Sequence, residues 1–293
     1  MQEMKSMASA SAVQDAAGML PSTAAMAGES KRGRTARSRA MVYSILAQAL
    51  SSPSEALCLA VRDGALSALL GVALDDAPPA HRRMIEAGLL ESFTAISDDE
   101  SFPGTILAEY TRLFSSNLHC MQYEADYLGR NAENSVHVIA AIASMYSTFG
   151  VRLADTVGER PDHIAVELDF MNFLAAKEAY ASDRNQVANA GLCRRAQVYF
   201  LSKHLARWGS MFAGNLAQAT TASFYRSICE LLDRFLAAET RYFKIEISQP
   251  LVPQETNASE KCGCNHCSGT NAEQPNELVQ LTGLVQEMMR RSD

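Results

Sequence analysis

The sequence predicts an all-α fold: a single helical bundle between a disordered N-terminal arm and a flexible, cysteine-containing C-terminal tail. Three observations carry this. Apolar residues recur at helical spacing along most of the chain, as with Ile164, Leu168, Met171 and Leu174. The 47% hydrophobic content is dominated by Ala, Leu and Met, with only 7% aromatics, a balance that favours helices. No run of alternating β-branched residues and no Asn-Gly or Asp-Gly hairpin signal appears.

The chain divides by composition into residues 1–37, 38–248 and 249–293. The first part is rich in Ala, Ser and Gly and ends in the basic run KRGRTARSR, residues 31–39. It offers too little apolar surface to offset chain entropy and is expected to be disordered. A first helix is expected from about Ser38 to Leu50. Ser52-Pro53-Ser54-Glu55 reads as a capping box with proline in the first turn, opening a helix that ends near Gly71. Pro78 and Pro79 open a third helix and Pro103 a fourth, which carries Tyr110, Arg112 and Phe114.

Periodicity lapses over 115–134 and returns from about Ser135 to Phe149, with Gly150 as the stop. Helices are then expected over 161–182, 186–213 and 220–239. From Gln249 the chain turns polar, with a short amphipathic helix at about 276–291.

The formal net charge is −7, and five positive charges sit in residues 31–39, so the remainder is more acidic than the total. That argues against nucleic-acid binding and suits a basic partner. No stretch approaches the ~18–20 apolar residues of a membrane span, and the N-terminus lacks the h-region of a secretory signal. No stable membrane insertion and a cytoplasmic location are therefore expected.

No nucleotide-binding glycine loop, no G-x-S-x-G and no H-E-x-x-H is present, so a standard nucleotide-dependent enzyme or hydrolase is disfavoured. Three clusters could carry chemistry. In RPDHIAVELDFM (160–171), Pro161 and Asp162 suit a first helical turn, while His163 gains nothing from the helix dipole. His163 and Glu167 share a helix face at i,i+4. They read as a hydrogen-bonded structural pair, as a general base beside an orienting acid, or as the rim of a binding site. Tyr123-Glu124-Ala125-Asp126-Tyr127 sets two acids among aromatics, which suits a guanidinium or, more simply, a packed polar loop.

Cys262, Cys264, His266 and Cys267 place three thiols and an imidazole within six residues, soft ligands for a metal or an iron–sulfur species, or free thiols on a tail. The spacing does not match the paired structural-zinc pattern. Cys58, Cys120, Cys193 and Cys229 lie in helix-like segments and read as small buried hydrophobes.

Taken in order, Glu109-Tyr110-Thr111-Arg112-Leu113-Phe114, Tyr123-Glu124, Pro161-Asp162-His163 and Glu167-Leu168-Asp169-Phe170-Met171 resemble the TorD/DmsD/NarJ-like family of cytoplasmic chaperones that mature molybdenum enzymes. Trp208, Phe224-Tyr225 and Leu231-Leu232 resemble its C-terminal helices, and the likeness covers about 40–245. Met121-Gln122 stands where the family often has a proline before its tyrosine–glutamate pair.

The resemblance implies an all-helical, non-catalytic protein. It would bind the twin-arginine signal peptide or N-terminal region of a molybdoenzyme catalytic subunit precursor and assist molybdopterin-cofactor insertion. It assigns Asp162 and His163 to the peptide site, with Pro161, Glu167, Tyr123, Glu124, Asp126, Tyr127, Arg112 and Phe114 beside them as binding or scaffold positions. No cofactor of its own is required, apart from a metal or iron–sulfur species at the cysteine tail, and the protein would be a monomer or homodimer. The basic arm and the cysteine tail are not general family features. The alternative is a metal- or redox-responsive interaction protein working through that tail.

Overall fold

The computed structural model describes residues 2–4, 30–85, 89, 92–93, 102–115, 120–127, 132–153 and 158–247. The cysteine cluster, the expected terminal helix and most of the N-terminal arm lie outside them.

The helical body opens with α1 (Lys31–Ala49), seven residues earlier than the periodicity indicates. Local capping and a distant contact explain the difference. Ser30 caps the helix, its Oγ accepting from the Gly33 N–H at 2.9 Å. Asp183 then accepts from the Ser30 N–H at 3.0 Å and pairs with Arg37 at 2.6 Å. Gly33 is required for this approach, since a Cβ there would meet Asp183 Oδ1 at 2.0 Å. The basic run is thus the first half of α1, and its last member, Arg39, is buried.

Helices α2 (Glu55–Arg62) and α3 (Ala65–Asp75) replace the single helix expected to end near Gly71. Gly64, at φ +71°, breaks them, and their axes bend by 76°. Left-handed backbone at that point is inexpensive only for glycine. The cap of α2 is Ser54, whose Oγ accepts from the Leu57 N–H, so Pro53 precedes the helix. Next come α4 (Pro79–Ile85) and α5 (Phe102–Tyr110), which continues as a π-turn over Thr111–Ser115.

A 3₁₀ turn at Glu124–Tyr127 leads to α6 (Ala132–Thr148), stopped by Gly150 at φ +70° as expected. The long α7 (Ile164–Asp183) forms the spine, with α1 along one side and α8 (Val187–Phe200) along the other. A π-turn at Leu201–Leu205 joins α8 to α9 (Ala206–Ala219), and α10 (Ser223–Phe243) packs back on α9. Gly209 allows that packing, because a Cβ there would meet Leu236 Cδ1 at 2.5 Å.

The fold is all-α. The β structure among the described residues is a parallel pair of three-residue strands, β1 (Gln2–Met4) and β2 (Val151–Leu153), and one isolated bridge between Tyr123 and His163. The pair joins segments about 150 residues apart, so no local hairpin signal could announce it. One core runs through the bundle, with Trp208, Phe170, Phe200, Phe212 and Phe235 fully buried. Among the described residues no single helix is long and apolar enough to cross a membrane.

Candidate functional site

The segment 120–127 has no helical periodicity because it is pinned to the start of α7. The Ile164 N–H donates to the Gln122 carbonyl, and the Glu124 N–H donates to the Asp162 carbonyl, both at 2.9 Å. The Asp162 carboxylate adds a third tie, accepting from the Ala125 N–H at 3.1 Å. From α6, the Tyr146 hydroxyl donates to the Pro161 carbonyl at 2.9 Å. Two segments almost 40 residues apart in sequence therefore form one rigid ledge.

His163 answers the question raised by its position. It is the N-cap of α7: its backbone is extended (φ −76°, ψ 137°), and its Nδ1 accepts from the Ala165 N–H at 3.2 Å. Only a neutral imidazole can do this, and burial depresses its pKa. With Nδ1 as acceptor, the proton sits on Nε2, which is buried and has no hydrogen-bond partner. The helix begins at Ile164, so Pro161 and Asp162 precede it and do not occupy its first turn. Asp162 interacts with the preceding loop, not with the helix N–H groups.

His163 and Glu167 do not form a working acid–base pair. Glu167 is fully buried and accepts from Trp208 Nε1–H at 3.2 Å. Burial, and then repulsion from the neighbouring Glu124 carboxylate, push its pKa well above the carboxylate range. Glu124 is also fully buried, with Oε2 2.9 Å from His204 Nδ1. The carboxylate can only accept, so His204 donates. These four side chains join the 120–127 loop, α7, the Leu201–Leu205 π-turn and α9. The π-turn is the irregularity that carries His204 into this contact, and such turns recur at functional sites.

The ledge presents its reactive face through other residues. Tyr123 is half-buried; its hydroxyl donates to Glu159 at 2.8 Å and its ring meets His163 edge-on at 5.3 Å. Arg160 lies over that ring at 4.3 Å and forms a bidentate pair with Asp162, at 2.9 and 2.6 Å. Asp126 is exposed beside them. Tyr127 turns inward, its hydroxyl on the Met121 carbonyl and its ring against Trp208 at 5.2 Å.

The structure therefore brings together Tyr123, Glu124, Asp126, Tyr127, Pro161, Asp162, His163 and Glu167, but divides their roles. Tyr123 and Asp126 face solvent, while Glu124, His163 and Glu167 hold the ledge from beneath. Arg112 and Phe114 serve a different junction. Arg112 pairs with Glu109 and donates to the Ala219 carbonyl at 2.6 Å, and Glu109 also accepts from Thr220 and Thr221 at the α9–α10 turn. Phe114 packs on Tyr110 and Tyr225. The Arg112 guanidinium and the threonine donors hold Glu109 down at about 2.

Sequence reasoning passed over Glu159, Arg160 and His204. Arg160 adjoined the motif and could have been noticed from its place before Pro161. His204 carries no local signal, because its partner Glu124 is 80 residues away.

Cys58, Cys120, Cys193 and Cys229 are buried and unpaired, as their helical settings indicated. Burial raises the Cys120 and Cys229 thiols to about 12 and Cys193 to about 11, so these thiols are unreactive. Among the described residues no group of three or more His, Cys, Asp or Glu side chains could hold a metal ion. Cys262, Cys264, His266 and Cys267 lie outside them.

Residues 83–214, which contain the whole ledge and its supports, match the family model described as nitrate reductase delta subunit. Over 213 residues the chain is 25% identical to the perchlorate reductase assembly chaperone protein of Dechloromonas aromatica, covering 72% of this chain and 92% of that one. Chaperone protein TorD of Vibrio parahaemolyticus is 22% identical over 156 residues, 53% of this chain and 71% of its own. TorD of Vibrio cholerae is 25% identical over 150 residues, 50% of this chain and 66% of its own. No solved structure is matched significantly. These relatives are named as chaperones. Over this region the chain is similar to TorD/NarJ-like maturation chaperones.

Proposed function

We propose that this protein is a cytoplasmic, system-specific chaperone for the catalytic subunit of a molybdopterin-containing oxidoreductase. It binds the subunit precursor at its twin-arginine signal peptide or N-terminal region and assists cofactor insertion before export or assembly. The observation that carries the reading is the Tyr123–Asp162 face, where an aromatic ring and a carboxylate already grip a guanidinium at the surface of a rigid ledge. An arginine-bearing peptide followed by an apolar stretch is the partner such a face suits, through charge-assisted hydrogen bonds and stacking. The name of the Dechloromonas relative, an assembly chaperone of a reductase, points to the same class of client.

In this reading Tyr123, Asp126 and Asp162 meet the client. Glu124, His163, Glu167, Pro161 and Tyr127 position them, and Arg112 and Phe114 are scaffold. The test is affinity capture from the native cytoplasm while client synthesis is induced, with captured proteins identified by mass spectrometry. A molybdoenzyme subunit lacking cofactor is expected. Its absence while it is being made overturns the reading.

The Cys262–Cys267 run supports a separate proposal from sequence alone: a soft-metal or iron–sulfur site on the tail. Metal analysis of the full chain and of a chain ending at residue 248 decides it. Metal retained only by the full chain supports the site, and equal metal content removes it.

A further inference from the structure

The same ledge carries an inference that rests on the proposed peptide-binding function and goes further. We propose that Arg160 is an internal stand-in for a client arginine: in the free protein it fills a guanidinium subsite built by Tyr123 and Asp162, and an arginine side chain of the client displaces it.

The subsite is built independently of its occupant. Asp162 is held by the Ala125 N–H, and its own carbonyl is bonded to the Glu124 N–H, so the carboxylate is fixed whichever guanidinium it meets. Tyr123 is held at its hydroxyl by Glu159 and at its ring edge by His163. A planar cation between these groups gains a bidentate pair and a stacked face together, a combination a lysine ammonium cannot match.

The occupant is built to leave. Arg160 lies outside α7, two residues after Gly158, whose left-handed backbone (φ +66°) turns the chain there. Its side chain is 42% exposed, whereas that of Asp162 is fully buried, so the guanidinium enters from solvent. Withdrawing it breaks no helical hydrogen bond.

The charge balance favours a further cation. Asp162 and Asp126 act on the Arg160 guanidinium and Glu159 holds the Tyr123 hydroxyl, so three carboxylates stand around one cation.

The alternative is that the Arg160–Asp162 pair merely clamps the loop. Chemical rescue and competition separate the two. Arg160→Ala, with Arg160→Gln as a second variant keeping the length of the side chain, is melted with millimolar methylguanidinium or methylammonium. Methylguanidinium is expected to raise the melting temperature of both variants while leaving the wild type unmoved, and methylammonium is expected to do nothing. No selective rescue overturns the subsite.

The variants and the wild type are then titrated by calorimetry with a peptide bearing two consecutive arginines before an apolar stretch. Removing an internal competitor raises apparent affinity by the reciprocal of the fraction in which the subsite is free, so about tenfold tighter binding is expected. Equal or weaker binding by the variants, with the wild type binding, overturns the displacement and leaves the peptide-binding reading standing. Binding by none of the three proteins overturns both.

Discussion

Arg39 and Glu239, 200 residues apart in sequence, form a bidentate ion pair at the centre of the bundle, with both contacts at 2.6 Å and neither side chain exposed. Tyr43 and His81 also bond Glu239, at 2.7 and 2.6 Å, and Gln197 accepts from Arg39 at 2.6 Å. α1, α4, α8 and α10 thus meet at one buried polar knot. Burial alone would raise the Glu239 pKa; the Arg39 guanidinium and the His81 bond outweigh it and hold the group at about 2.

Removing one partner of such a pair leaves the other buried and unpaired. Arg39→Met is expected to lower unfolding free energy by about 3–5 kcal/mol. Urea titration checks this, and a loss below about 1 kcal/mol would show that the knot relaxes without its arginine. Arg39→Lys is expected to recover little, because one ammonium cannot reproduce the fork that meets both Glu239 oxygens.

Glu167 has the opposite behaviour. Its folded pKa is raised, so its contribution to stability is full below the ordinary value of 4.5 and lost as pH rises through the folded value. Glu167→Gln keeps an acceptor for the Trp208 N–H and removes that loss. The variant is expected to gain on the wild type between pH 5 and pH 7, by up to about 1.4 kcal/mol per pH unit. Urea midpoints at the two pH values measure it; an identical difference at both would show that Glu167 is ionised in the fold.

The His163 cap gives a prediction of its own sign. The folded pKa is lowered, so the cap's contribution is present above about 6.5 and lost as pH falls through the folded value. His163→Ala is expected to cost about 0.5–2 kcal/mol at neutral pH, and His163→Asn less, because its side-chain oxygen can accept from Ala165. The Asn variant should also lack the wild type's loss between pH 7 and pH 5. Thermal melting across that range tests both.

Asp162 ties the loop to the helix. Asp162→Ala strands the buried Ala125 N–H and frees Arg160, and is expected to cost about 1–3 kcal/mol. Amide exchange should accelerate selectively over residues 122–127. Uniform acceleration across the bundle would mean that the ledge and the core unfold as one unit.

Much of this architecture was legible in the sequence because its signals are local. Helical periodicity found α4 to α7 and α10, the Gly150 stop and the Pro79 start held, and the ordered motifs carried the likeness to the chaperones. The misses were of two kinds. A single left-handed glycine, Gly64, split a helix whose apolar pattern ran on across it. The first turns of α1 looked like a solvated arm because Asp183, which anchors them, is 153 residues from Ser30.

Residue type and spacing along one stretch of chain are enough to fix the helical class, the acidic balance and the segments that build the ledge. Where the motif residues sit depends on the fold. Asp162, His163 and Glu167 all looked like candidates to meet a ligand. Folding buries all three, turns His163 into a helix cap and Glu167 into an acceptor for Trp208, sets the Asp162 carboxylate directly beneath the Arg160 guanidinium, and leaves Tyr123, Asp126 and Arg160 at the surface. Burial and long-range pairing set the charge and the accessibility of a side chain, and neither is encoded in its immediate neighbours.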